Sequence, residues 1–348
     1  MENDTIRLWK KDDNTVYKSQ KQMDKRKSYV LAAFVHDLLL SKDAKATIAY
    51  IFVDILIFTV WYSMYSQKKN LLILIQFIKS HSDVLKIKRY GLNARVMDAV
   101  LFVIFTFPVL LAGTYAYFDY RENKMNRFWT FGHTTQDSKH RILLDFVFLY
   151  IYFTVYLEYP CLIAFSLFLL IYNYGKFLLR ISENIKITSP ITTTEQYVKI
   201  LSDYNSVEKK IHLLKGTLSI PLLLILSVCF CIQYTALSFG VHGRPSLQHI
   251  LVTCSNVCTG IVIIFSLALI SDRIPEYMLE IKTTAGFLID NCNYHSLNEL
   301  EKIMLLKKFK KKETIYLTAG GVVYLKKSFI LSAFGAIFTY GLLVLNLK

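Results

Sequence analysis

Charged residues are scarce in this sequence. They make up 19% of its 348 residues, where a soluble domain carries about a quarter. The deficit is uneven: long runs hold almost no Asp, Glu, Lys or Arg, and the basic residues gather between them. An ordinary globular domain disperses its polar residues over a surface, so this patterning speaks against one. Ten-residue segments of alternating hydrophobicity, the mark of a membrane β-barrel, are lacking too. So are a Gly-rich phosphate loop, an inverted repeat of broken helices of the transporter kind, and any His-x-x-x-His or Glu-x-x-His pair to hold a metal. No Cys pair falls in a segment expected outside the cell. Cys161, Cys229, Cys231, Cys254 and Cys258 lie inside apolar runs and read as packing residues. We therefore expect no structural disulfide, metal or cofactor. The first 28 residues are mostly polar and basic, without the apolar core of a cleavable signal.

What is present is hydrophobic length. Apolar residues make up 53% of the chain and its mean hydropathy is +0.35. Spanning a bilayer takes about 20 apolar residues. Six stretches serve: Ala46–Ser66, Met97–Phe118, Ile142–Tyr172, Leu218–Gly240, Ile250–Ile270 and Phe329–Leu347. Tyr29–Leu40 is a candidate seventh, too short to cross alone. The expected class is all-α, a polytopic membrane protein. Leu71–Ile78 reads as an amphipathic surface helix leading into Lys86-Ile87-Lys88-Arg89. Ile142–Tyr172 exceeds what a bilayer needs, and Pro160 inside it should kink it. Val198, Leu201, Val207, Ile211 and Leu214 recur mostly at helical steps, so Gly175–Gly216 reads as helix packed on protein beyond the membrane. Asp272–Lys327 reads the same way. The chain divides accordingly into 1–45, 46–172, 173–217, 218–270, 271–328 and 329–348.

The net charge is +15. Because the Lys and Arg residues lie between apolar runs, they mark cytoplasmic loops facing anionic lipid rather than a nucleic-acid surface. Gly175–Gly216 and Asp272–Lys327 are rich in Lys, whereas Val241–His249 holds only Arg244. The first two are expected inside, the third outside, and the last helix runs outward. Six spans would then put the basic N-terminus outside, against the same rule. A shortened first span over Tyr29–Leu40 would return it inside.

In the last span, Ser328, Ser332, Gly335, Thr339, Leu342 and Asn346 follow at alternating steps of 4 and 3, and so share one helix face. Five of the six are small or polar. Such a stripe faces another helix or a water path, because unpaired polar groups are costly in hydrocarbon.

Thr339-Tyr340, five hydrophobic residues and then Asn346-Leu347 resemble the terminal signature of the insect gustatory receptors, part of the insect chemoreceptor superfamily. That signature reads Thr-Tyr, five hydrophobic residues, Gln-Phe; here Asn replaces Gln and Leu replaces Phe. The layout before it is similar as well. A long helix leads into a helical inner segment, two spans share a short outer connection, and a basic inner segment precedes the final helix. The resemblance implies a seven-helix fold with the N-terminus inside and the C-terminus outside. It implies a homo- or hetero-tetrameric ligand-gated cation channel, opened by a small-molecule tastant, in the plasma membrane of sensory neurons. It implies no enzyme and no catalytic residue. The inner segments would form an anchor and the last helix would line the pore, with Asn346 and Leu347 at the gate and Thr339, Leu342 and Gly335 below them.

A ligand pocket in the outer half would draw on Tyr115, Asp145, Tyr152, Tyr156, Gln233, Tyr234 and Asn256, since such pockets are mostly aromatic with a few polar groups. The carboxylates Asp54, Asp145 and Glu158 stand out because charge inside a membrane is costly. Two other classes compete. A G-protein-coupled receptor would need an Asn-Pro-x-x-Tyr in its last helix, and none occurs; Ser271–Tyr277, SDRIPEY, follows the wrong span. A polytopic enzyme or transporter remains an alternative, as does a receptor subunit that conducts only with a partner.

Overall fold

The computed structural model describes residues 44–81, 94–121, 138–187, 194–242, 247–291 and 297–346. Tyr29–Leu40, the basic stretch at 86–89 and Leu347 lie outside them. Two compact units divide the chain, Met1–Phe52 and Val53–Lys348. Of the first, only the helical backbone from Ala44 is described, and all packing below belongs to the second.

The helices are α1 (Ala44–Ser66), α2 (Lys68–Ser80), α3 (Ala94–Arg121), α4 (Ser138–Phe153), α5 (Tyr159–Ile187), α6 (Thr194–His242), α7 (Leu247–Asp290), α8 (Leu297–Lys311) and α9 (Lys327–Asn346). All six expected spans fall within this helical structure, apart from Leu347 at the last position. Among the described residues four helical stretches are long and apolar enough to cross a membrane: Arg95–Phe118, Ile142–Ile187, Thr194–Ala236 and Ile250–Asp290. Ile51–Ser66 and Lys327–Thr339 are shorter apolar stretches. Lipid contact explains their surface. On α3, Phe102 and Leu110 are 69% and 64% exposed, an apolar face left largely bare by the described residues. A stripe of that kind is stable in hydrocarbon and not in water.

Length separates the buried part from the lipid-facing part. At 1.5 Å per residue the 49 residues of α6 run about 70 Å, more than twice a hydrocarbon core of roughly 30 Å. The excess of α5, α6 and α7 forms a bundle with α2 and α8. Tyr174, Leu178 and Ile185 of α5 are buried there with Tyr204, Ile211 and Leu214 of α6. Met278 and Ile281 of α7 and Leu306 and Phe309 of α8 complete this core. Tyr174 donates its hydroxyl to the Leu74 carbonyl at 3.1 Å, fixing α2 to α5. Tyr204 meets Phe309 edge-on at 5.5 Å between ring centroids. Ion pairs rim the bundle: Lys312 with Glu208 at 2.5 Å, and Lys186 with Glu280.

The structure departs from the expected all-helical reading of Asp272–Lys327. After α8 the chain extends into a hairpin, β1 (Thr318–Ala319) antiparallel to β2 (Val323–Tyr324). Gly320 and Gly321 between them both have positive φ, 62° and 72°. That pairing is what a type I′ turn requires and what, apart from Asn and Asp, few other residue types adopt readily. The basic helical pattern before it carries no sign of this interruption; the Gly pair does.

Pro160 disturbs its helix as expected, and does so one step earlier. Thr154–Glu158 form a π turn between α4 and α5, with the Tyr159 N–H reaching back to the Thr154 carbonyl. A proline has no N–H to donate and its ring presses on the carbonyl four residues back. The extra residue of a π turn gives that carbonyl room.

Candidate functional site

Two regions bear on function: the aromatic cluster where α3 meets α4, and the face of α9.

The cluster is built on Leu111, Ala112 and Ala116 of α3 with Leu149 and Phe153 of α4 and Leu157 of the π turn. Tyr115 and Tyr152 pack against it with Leu251 and Val252 of α7. The Tyr152 and Tyr156 rings lie 4.5 Å apart between centroids. Tyr156 donates its hydroxyl to Asp54 Oδ1 of α1 at 2.5 Å. Three of the expected ligand residues are thus on connected elements, and a carboxylate from α1 joins them. Asp145 is buried on α4, and Asn256 is buried on α7. Gln233 is 1% exposed on α6, whereas Tyr234 beside it is 48% exposed. One residue along a helix turns the side chain by about 100°, so these two do not converge.

Gln233 lies across Gly260 of α7: a Cβ at that position would stand 2.4 Å from Gln233 Nε2. The glycine lets α6 and α7 approach, and the buried amide has no hydrogen-bond partner for either polar atom among the described residues. Two apolar cavities open beside the cluster. One, of about 420 Å³, lies between α3 and α4 and is lined by Tyr117, Tyr120 and Phe146 among others. The other, of about 700 Å³, lies along α3, the π turn with the start of α5, and α7. None of the seven expected ligand residues lines either cavity.

Helix α9 packs on α6 and α7 by one side only. Ile330 and Ala333 are buried, and Phe334 meets Phe265 of α7 at 5.3 Å. Ser328, Ser332, Gly335, Thr339 and Leu342, the expected stripe, are all exposed in the single chain. Thr339 Oγ1 donates to the Gly335 carbonyl at 2.7 Å, so its hydroxyl is already satisfied within the helix. At Tyr340 and Asn346 only the helical backbone is described.

The N-terminal end of α9 is tied to α7 by ion pairs. Lys327 pairs with Glu276 and lies 4.0 Å from Asp272, both on α7. Arg273 lies 3.6 Å from Glu276. These acids belong to the SDRIPEY stretch, which therefore receives the start of the last helix. The hairpin before α9 is fixed to α6, where the Gly320 N–H donates to the Ser219 carbonyl at 2.7 Å. Sequence reasoning missed this clamp, although the Gly-Gly pair and the acids of SDRIPEY were its visible signals. Among the described residues no group of three His, Cys, Asp or Glu side chains is placed to hold a metal.

No protein-family model matches the chain, and no curated protein sequence does. Solved structures do. The insect olfactory receptor OR5 from Machilis hrabei in complex with eugenol superposes with a TM-score of 0.59 at 11% identity, covering 92% of this chain and 86% of that one. A second structure of the same receptor gives 0.58 at 12% identity, over 91% and 85%. At that identity the likeness is one of fold: this chain is a multi-pass helical protein with the architecture of an insect olfactory receptor.

Proposed function

We propose that this chain is a subunit of a ligand-gated cation channel of the insect chemoreceptor kind, and within it a gustatory receptor opened by a small-molecule tastant. One observation carries the reading. The stripe of small and polar residues on α9 is left bare by its own chain, as are the apolar Leu331 and Phe338 beside it, on a fold similar to an insect olfactory receptor over nine-tenths of the length. Four copies around an axis would turn those stripes toward one another and enclose a water path. The terminal Thr339-Tyr340 and Asn346-Leu347 favour the gustatory branch.

In this assembly Asn346 and Leu347 form the constriction, with Leu342, Thr339 and Gly335 below. Leu side chains in a ring close a narrow pore by dewetting, and Asn amides replace water around a cation. Asn is one methylene shorter than Gln and Leu is smaller than Phe, so this gate is wider than the usual family pair. Tyr115, Tyr152 and Tyr156 supply the ligand-facing groups, and segments 173–217 and 271–328 anchor the subunits. The location is the plasma membrane of sensory neurons.

Expression of the chain alone in a cell lacking other receptors, with cation currents recorded over a ligand panel, tests the activity. Particle images test the assembly: four-fold symmetry is expected, and a monomer or a dimer without a central axis would overturn it. Asn346→Ala should change conductance or leak while surface expression holds.

A further inference from the structure

We propose that the groove walled by α3, the π turn with the start of α5, and α7 binds a cationic amphiphile: a protonated amine on an apolar body, with Glu158 as its counter-ion. The cavity measures about 700 Å³, within the 300–1,000 Å³ range of small-molecule sites. Its walls are apolar, with Val103 and Phe107 from α3, Phe165 from α5 and Val262 from α7. No Lys, Arg or His lines it. Glu158 does, and it is 8% exposed.

The chain does little to satisfy that carboxylate. Among the described residues its one hydrogen bond comes from Thr154 Oγ1 at 3.3 Å, long beside the 2.5–2.7 Å of a strong hydroxyl–carboxylate bond. An ionised carboxylate among apolar side chains is costly unless a cation or several donors meet it. An ammonium group entering the groove would supply both the charge and the donors, and its apolar body would cover the walls. The mouth lies between Val103 and Val262, both well exposed on the lipid-facing surface. An amphiphile would therefore enter from the bilayer. The site adjoins the aromatic cluster and shares Leu157 with it, but none of the expected ligand residues lines it. It rests on the membrane reading for its route of entry and does not require the chain to conduct.

The test is direct binding to the full-length chain in nanodiscs of zwitterionic lipid at neutral pH. The probes are labelled n-decylamine and n-decanol, measured as saturable excess over empty nanodiscs. Wild type should bind the amine saturably. Glu158→Gln should weaken amine binding at least tenfold and leave decanol unchanged. Val262→Trp, which fills the groove mouth, should weaken both. Equal amine binding by Glu158→Gln, absence of saturable amine binding in wild type, or parallel loss of amine and alcohol in Glu158→Gln would each overturn the assignment. Since no current is read, a silent channel that still binds decylamine leaves this site standing and removes only the channel reading.

Discussion

Replacing Gly320 by Ala should loosen the hold on the last helix, and the structure separates two contributions to the effect. Gly320 has φ +62°, and an added Cβ would stand 2.7 Å from Leu223 Cδ2 of α6. The left-handed backbone costs an L-residue about 1–2 kcal/mol. Overpacking of this sort adds about 1–3 kcal/mol. Gly321 also has positive φ, 72°, but a Cβ there meets nothing within 4 Å. It carries the backbone cost alone and serves as the control. Gly320→Ala should then destabilise by about 2–5 kcal/mol and Gly321→Ala by about 1–2 kcal/mol. In a Leu223→Ala background the Gly320→Ala penalty should fall by about 1–3 kcal/mol, the coupling a double-mutant cycle isolates. Denaturant unfolding of the purified chain in mixed micelles measures wild type and all four variants. Equal penalties for the two glycines, or a Gly320→Ala penalty unchanged when Leu223 is trimmed, would refute the reasoning.

Other perturbations test neighbouring contacts. Tyr156→Phe removes the hydroxyl held by Asp54 and should destabilise by about 1–3 kcal/mol, as for a hydrogen bond to a charged group; Tm measures it, and an unchanged Tm would show that the carboxylate is served by water. Gly260→Ala drives a Cβ into Gln233 and should cost about 1–3 kcal/mol, with Gln233→Ala restoring most of the loss; failure of that rescue would place the strain elsewhere. Lys327→Gln should change Tm little, because its ion pairs with α7 are partly exposed and such pairs contribute about 0–1 kcal/mol. If the chain conducts as proposed, it should nonetheless shift the fraction of open channels in current recordings, and an unchanged open fraction would mean that the clamp does not reach the proposed pore.

The helices were legible because a membrane enforces their pattern: uncharged length shows directly in the sequence, and each expected span lies within helix. Contacts between helices were not legible, for a geometric reason. Gln233 and Tyr234 are adjacent, yet one is buried on Gly260 and the other is half exposed. A span apolar on all sides gives no clue to which of its faces meets protein. Outside the bilayer the clue returns, since water penalises any bare apolar face; the buried Leu201, Val207, Ile211 and Leu214 of α6 could be picked out by spacing, although Val198, at the start of the same series, is 49% exposed. The π turn at Thr154–Glu158 combines both cases. Pro160 announces a disturbance, but one inserted residue turns everything after it by about 100°. Positions before and after that turn therefore cannot be placed on one face by counting in steps of 3.6. Tyr152 precedes the π turn and Glu158 is its last residue, one against the aromatic cluster and the other in the apolar groove.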